Sequence, residues 1–190
     1  GFDPAAVHDL YSGTLIQGIF ETLYTYDYLA RPSKVVPLAA DGMPQVTDNG
    51  RTWTVKLKKG IRFADDPVFG GKPRELTADD YVKRLIDPRI RSPWAFLVEG
   101  KLLGLDEVAE QAKKSGRFDY DRKVPGIEAV DRHTIRFRLK ETDYNLPYIL
   151  AHEPTSAVAR EVIEKYGESD GRALANPIGT GPYRLAKWVR

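Results

Sequence analysis

The chain is predicted to fold as an α/β domain built around a mixed sheet. The strand signal is clearest at residues 52–58, where Trp53, Val55 and Leu57 alternate with Thr52, Thr54, Lys56 and Lys58, the period of two that a half-buried strand requires. Residues 134–140 repeat it, with Ile135, Phe137 and Leu139 against Arg136, Arg138 and Lys140. Between and around these strands lie segments with helical spacing and helix start signals, an order that fits neither a bundle nor a sandwich.

The elements follow in chain order. From Ser12, a candidate N-cap, the apolar residues Leu15, Ile16, Ile19, Phe20 and Leu23 recur at helical spacing and predict a packed helix. Residues 28–40 contain Pro32 and Pro37 and read as a connection. A hairpin is expected over residues 43–57, turning at Asp48-Asn49-Gly50. The segment 65–75, with Pro67, Gly70, Gly71 and Pro73, reads as an exposed loop.

Thr77-Ala78-Asp79-Asp80 fits a capping box, in which the Thr77 hydroxyl accepts from a first-turn amide and Asp80 reaches back. Asp79 favours the positive end of that helix, whose buried stripe is Tyr81, Val82, Leu85 and Ile86. Ser92-Pro93 marks another start, followed by the apolar Trp94, Phe96, Leu97 and Val98. A further helix is expected over residues 106–114, with the stripe Leu105, Val108, Ala109 and Ala112 and a stop at Gly116.

Residues 127–130 and 134–139 make the second hairpin. Short helices are expected over 144–151, begun or interrupted at Pro147, and over 160–166, stopped by Gly167. Residues 183–189 alternate as a strand. That strand stops without a turn, and Gly1-Phe2-Asp3-Pro4 lacks an initiator methionine, so the sequence reads as part of a longer polypeptide.

Composition narrows the function. At 190 residues, 42% hydrophobic and 29% charged, the chain is of globular type. Its 29 basic and 27 acidic side chains leave a formal charge of +2, too balanced for the concentrated field of a nucleic-acid binder. There is no cysteine, hence no disulfide framework or thiolate chemistry. No apolar run approaches the ~18 residues that span a bilayer.

Several motifs invite a catalytic reading and are outweighed. Gly179-Thr180-Gly181-Pro182 lacks the lysine of a phosphate loop and precedes a strand; it reads as a structural crossover, with Gly179 and Gly181 as its pivots. Gly167-Glu168-Ser169-Asp170-Gly171 matches a nucleophile elbow, but a helix precedes the serine where a strand is needed. His8, His133 and His152 have no metal-ligand spacing, and His152-Glu153 is not extended into a zinc-binding helix, so no metal or other cofactor is assigned. Asp65-Asp66 and Asp79-Asp80 are adjacent pairs whose side chains diverge. The basic residues Arg136, Arg138 and Lys140 read as a solvated sheet face.

Four pieces in fixed order resemble the extracellular solute-binding proteins of family 5, the peptide-binding receptors of ABC importers. They are Ile19-Phe20-Glu21-Thr22-Leu23, Trp53-Thr54-Val55-Lys56-Leu57-Lys58-Lys59-Gly60, Leu76-Thr77-Ala78-Asp79-Asp80-Tyr81 and Pro177-Ile178-Gly179-Thr180-Gly181-Pro182-Tyr183. Arg84-Leu85-Ile86-Asp87-Pro88 and Ser92-Pro93-Trp94-Ala95 look most like the oligopeptide-binding branch.

The resemblance implies a type II periplasmic-binding-protein-like fold, of which this chain matches part of the first of two lobes. It implies a core segment over 1–40, an inserted α+β subdomain over 41–176, and a return strand over 177–190. It implies that Glu21, Thr22 and Leu23 line the ligand cleft, with Thr22 replacing the family's glycine. Trp94 stands where oligopeptide receptors carry a tyrosine beside the ligand; it keeps an aromatic face and one donor but loses the phenolic oxygen.

A peptide or similar small solute and the transmembrane subunits of an ABC permease are the implied partners, in the periplasm or at a lipid-anchored extracellular face. A hydrolase built on Ser169 or an acidic pair, and a signalling or chaperone-like module on the same fold, are the competing readings.

Overall fold

Both alternating segments pair as expected in the computed structural model, which describes residues 1–85, 94–115, 119, 121–166 and 175–189. Strands β3 (Gln45–Thr47) and β4 (Thr52–Lys56) form the first hairpin, β5 (Ile127–Asp131) and β6 (Thr134–Arg138) the second. The hairpins join through β4 and β6 into one antiparallel sheet of order β3-β4-β6-β5. In that register Trp53 lies opposite Phe137 and Val55 opposite Ile135. All four are buried, and each such residue contributes about 1.5–3 kcal/mol by leaving water.

The solvent side is polar: Glu128 bridges Arg136 and Arg138 at 2.9 and 3.1 Å. The turn into β4 uses three successive residues with positive φ, Asp48, Asn49 and Gly50. Only glycine suits the third, because a Cβ there would press on Thr142 and Tyr144 at 3.0 Å.

A second, two-stranded sheet departs from expectation. Strands β1 (Tyr24–Tyr26) and β2 (Val35–Pro37) pair antiparallel, β2 inside the region read as a connection and β1 just before it. Pro37 is tolerated at the end of β2, where its missing N–H removes no ladder bond from a longer strand. The strands thus divide between two sheets, and every pairing among the described residues is antiparallel.

Helix α1 (Leu10–Ile19) starts before the predicted cap. Asp9 is the N-cap, its carboxylate accepting from the Ser12 N–H at 2.9 Å, a bond of the kind that contributes about 1 kcal/mol. The chain leaves the helix at Phe20 in an extended conformation. The apolar spacing therefore spans two conformations: Ile16 and Ile19 are buried from the helix, Phe20 and Leu23 from the segment after it, and Leu15 is half exposed.

Helix α2 (Ala78–Leu85) carries the expected cap with altered chemistry. Asp80 accepts from the Thr77 N–H at 2.7 Å, as predicted, but the Thr77 hydroxyl donates to the same carboxylate at 3.0 Å. The reason is burial: Asp80 is 3% exposed and already gripped by Arg74 at 2.7 and 3.1 Å, so its oxygens need every donor within reach. Arg74 also pairs with Glu161 of the later helix at 2.9 Å. Burial pushes the Asp80 carboxyl up, opposed by Arg74 and Thr77.

Helix α3 (Leu105–Ser115) buries Leu105, Val108 and Ala112, close to the predicted stripe. Helices α4 (Leu146–Ile149), with Pro147 in its first turn, and α5 (Arg160–Tyr166) follow. A single apolar core connects these elements, running from Ile16 and Leu23 through Val55, Tyr81 and Phe137 to Leu150 and Val162. The stretch 183–189 forms no strand and pairs with none among the described residues; its alternation buries Leu185 in part without a ladder. The starts and stops expected at Ser92-Pro93, Gly116 and Gly167, the stripe residue Ile86, and the elbow-like Ser169 lie outside the described residues.

Candidate functional site

The exit from α1 sets the geometry of residues 21–23. Their carbonyls are all engaged: Glu21 O accepts from the Tyr81 hydroxyl at 3.1 Å and from Ala157 N–H at 3.4 Å. Thr22 O accepts from Ala39 N–H at 3.3 Å, and Leu23 O from Leu38 and Ala40 at 3.0 and 3.1 Å. The Leu23 side chain is in the core, and Thr22 is buried with its hydroxyl donating to Tyr24 O. The threonine therefore folds back on its own chain instead of projecting outward. Of the three, only Glu21, half-buried, brings its side chain to the surface.

Gly179 and Gly181 fix the crossover against the end of α1. A Cβ on Gly179 would stand 1.9 Å from the Ile19 carbonyl oxygen, and one on Gly181 would stand 2.5 Å from that of Gly18. Gly181 N–H donates to Ile19 O at 2.8 Å, and Tyr183 N–H to Gly18 O at 3.0 Å. These bonds satisfy carbonyls that a helix C-terminus otherwise leaves free. Residues 150 and 157 also bond this segment, through Tyr24 N–H to Leu150 O and through Ala157.

Trp94 lines a cavity together with residues of α1. Its indole N–H donates to Val7 O at 2.6 Å, and its ring stands 4.8 Å from that of His152, tilted by 46°. Beside it opens a cavity of about 250 Å³ whose lining includes Val7, Leu10, Gln17, Trp94, His152 and Glu153. Gln17 donates to Glu153 Oε1, and His152 Nδ1 lies 3.0 Å from Oε2. That approach is close but poorly aligned for a hydrogen bond, and Nδ1, which is shut off from solvent, has no aligned partner. The imidazole, with Gln17 adding and burial opposing, holds the Glu153 carboxyl below the usual glutamate range.

The structure thus brings Trp94 to a cavity with Gln17, His152 and Glu153, while Glu21 lies past the end of α1 and does not line it. Sequence reasoning passed over these three polar residues. His152-Glu153 lacks the extension of a zinc motif, yet two polar residues closing an apolar turn before Pro154 are a signal in themselves. Gln17, on the exposed side of an amphipathic helix, gave none.

The acidic pairs have other partners. Asp66 caps the 3₁₀ turn at residues 67–69 and accepts from the Tyr166 hydroxyl at 2.7 Å, and Asp80 belongs to the Arg74 network. Among the described residues, no three His, Asp or Glu side chains converge as metal ligands.

Residues 34–190 match the family model described as bacterial extracellular solute-binding proteins, family 5 middle. The periplasmic oligopeptide-binding protein OppA of Escherichia coli strain K12 is 31% identical over 196 residues, covering 98% of this chain and 32% of that protein. The glutathione-binding protein GsiB of the same strain is 27% identical over 186 residues, with 98% and 30% covered.

Among solved structures, the peptide-binding pheromone receptor PrgZ superposes with a TM-score of 0.76 at 25% identity, over 99% of this chain and 34% of that one. The murein tripeptide binding protein MppA of Escherichia coli gives 0.73 at 26% identity, over 100% and 34%. The chain spans about a third of the length of these relatives. With a family model running through all but its first 33 residues and a curated relative alike along nearly its whole length, the chain belongs to the family 5 bacterial extracellular solute-binding proteins.

Proposed function

We propose that the chain is the first-lobe portion of a noncatalytic receptor that captures a peptide or similarly sized solute for an ABC importer. The observation that carries this reading is the aromatic-walled cavity at Trp94, whose ring is locked by Val7, on the surface of a family 5 member. Closure of a second lobe over this surface traps the solute, and closure is favoured only by the better contacts the solute makes in the closed form. Transmembrane permease subunits then recognise that form.

Glu21 and Trp94 supply side chains to the cleft in this reading, while Thr22 and Leu23 hold the main chain that presents Glu21. The core comprises residues 1–40 and 177–190, joined at the Gly179 crossover, with residues 41–176 as the inserted subdomain. The relatives' names place OppA and MppA in the periplasm, and the same compartment, or a lipid-anchored extracellular face, is assigned here. Among the described residues no helix is long and apolar enough to cross a membrane.

Mass spectrometry of small molecules co-purified with the complete polypeptide that contains residues 1–190 tests the proposal. Short peptides or related solutes released on denaturation are expected. Turnover of an ester or peptide substrate, abolished by Ser169→Ala, would replace it with the hydrolase reading.

A further inference from the structure

We propose that the cavity beside Trp94 is a subsite for one positively charged side chain of the bound solute, with Glu153 as its counter-ion. The inference rests on the receptor reading and adds the ligand chemistry to it.

Size limits the occupant first. At about 250 Å³ the cavity falls below the ~300–1,000 Å³ typical of sites that enclose a whole small ligand, so it takes a single side chain. Its walls are mixed. Val7, Leu10, Ile16 and Trp94 supply apolar surface, Glu153 and Asp9 supply carboxylates, His8 and His152 supply imidazoles, and no lysine or arginine is among the residues lining it. A long aliphatic stem ending in a cation matches both parts, burying its methylenes on the walls and presenting its charge to the acid.

Glu153 is built to hold that charge. Gln17 occupies one lone pair of Oε1 and His152 approaches Oε2. A carboxylate has about four acceptor sites, so the remainder can take an ammonium or guanidinium. Asp9, which caps α1, adds a second negative charge to the lining. The Trp94 ring, fixed by its bond to Val7, adds attraction to a cation within about 6 Å of its face.

The other occupants fare worse. An acidic side chain would meet two carboxylates. A neutral apolar one would displace water from Glu153 without supplying a counter-charge. Because desolvating the pair offsets much of its attraction, the expected discrimination is about tenfold, or about 1.4 kcal/mol.

Calorimetry on the complete polypeptide with trilysine and trinorleucine, which differ in charge at similar bulk, tests the subsite without knowledge of which residue enters it. Trilysine is expected to bind more tightly. Glu153→Gln should weaken trilysine about tenfold and trinorleucine less than about threefold. Gln17→Lys, a surface change that sets an internal ammonium beside Glu153, should cut the trilysine preference in the same way and serves if Glu153→Gln does not fold.

A trilysine to trinorleucine ratio unchanged by the variants overturns the cation subsite and leaves the receptor reading standing. So does tighter binding of trinorleucine by the unaltered protein. Failure of that protein to bind either peptide overturns the cation subsite, while the solutes co-purified with it decide the receptor reading separately.

Discussion

The four-stranded sheet and the α1 crossover are held together by different means. In the sheet, side chains carry the contact: Trp53, Val55, Ile135 and Phe137 alternate inward, and Glu128 ties Arg136 to Arg138 outside. At the crossover the backbone carries it, with Gly179 and Gly181 laid directly on the last carbonyls of α1. Helix α1 itself buries only Ile16 and Ile19 and leaves Leu10 and Tyr11 80% and 84% exposed. A core built from side chains tolerates loss of a methyl group; a seam built from main chain has no slack for one.

The sharpest way to break this contrast is Gly179→Ala. The added Cβ has no space at 1.9 Å from a carbonyl oxygen, so the chain must separate from α1. A loss of about 4 kcal/mol in denaturant unfolding is expected. A loss below about 1 kcal/mol would mean that the seam is not held by close approach.

Arg74→Met comes next, at about 3 kcal/mol, because it strands the Asp80 carboxylate in the interior with only Thr77 as a donor. Chemical denaturation of Arg74→Met beside Arg74→Met/Asp80→Leu measures that penalty, and the double variant should recover part of the loss. Ile135→Val removes one methyl group from the sheet core and is expected to cost about 1 kcal/mol. A cost equal to that of Gly179→Ala would erase the distinction between side-chain core and main-chain seam.

The smallest effect is a pH dependence. Glu75 is held at about 2 by the Gly60 N–H first, then by Arg132 and His133. Its folded value lies below the ~4.3 of an unfolded glutamate. Its contribution is therefore fully present above ~4.3 and fades as pH falls toward 2. Thermal unfolding of Glu75→Gln should separate from the parent protein at pH 6 and converge with it near pH 2; a constant gap would contradict the assignment.

The same contrast explains what the sequence disclosed. Period-two alternation identified β4 and β6, and Thr77 with Asp80 identified the start of α2, because those patterns record burial and capping locally. The β1–β2 pair escaped notice because three-residue strands beside prolines carry no usable period. The alternation of residues 183–189 mimicked a strand, although only Leu185 is partly buried and no ladder forms. The Thr77 hydroxyl donates where the capping pattern has it accept, because the demand on it comes from Arg74 and the burial of Asp80, which no local pattern shows.

At the cavity, Trp94 was singled out through family resemblance, as an expectation. Gln17, His152 and Glu153 were not, since residues far apart in sequence meet only when residues 152–154 pack against α1.

As a proposed receptor lobe, this chain would supply one side of a two-sided clamp. Calorimetric titration of one short-peptide set into the complete polypeptide and into residues 1–190 tests it most directly. Micromolar or tighter binding by the complete polypeptide is expected, and binding at least about a hundredfold weaker by residues 1–190. Equal affinities in the two would contradict it.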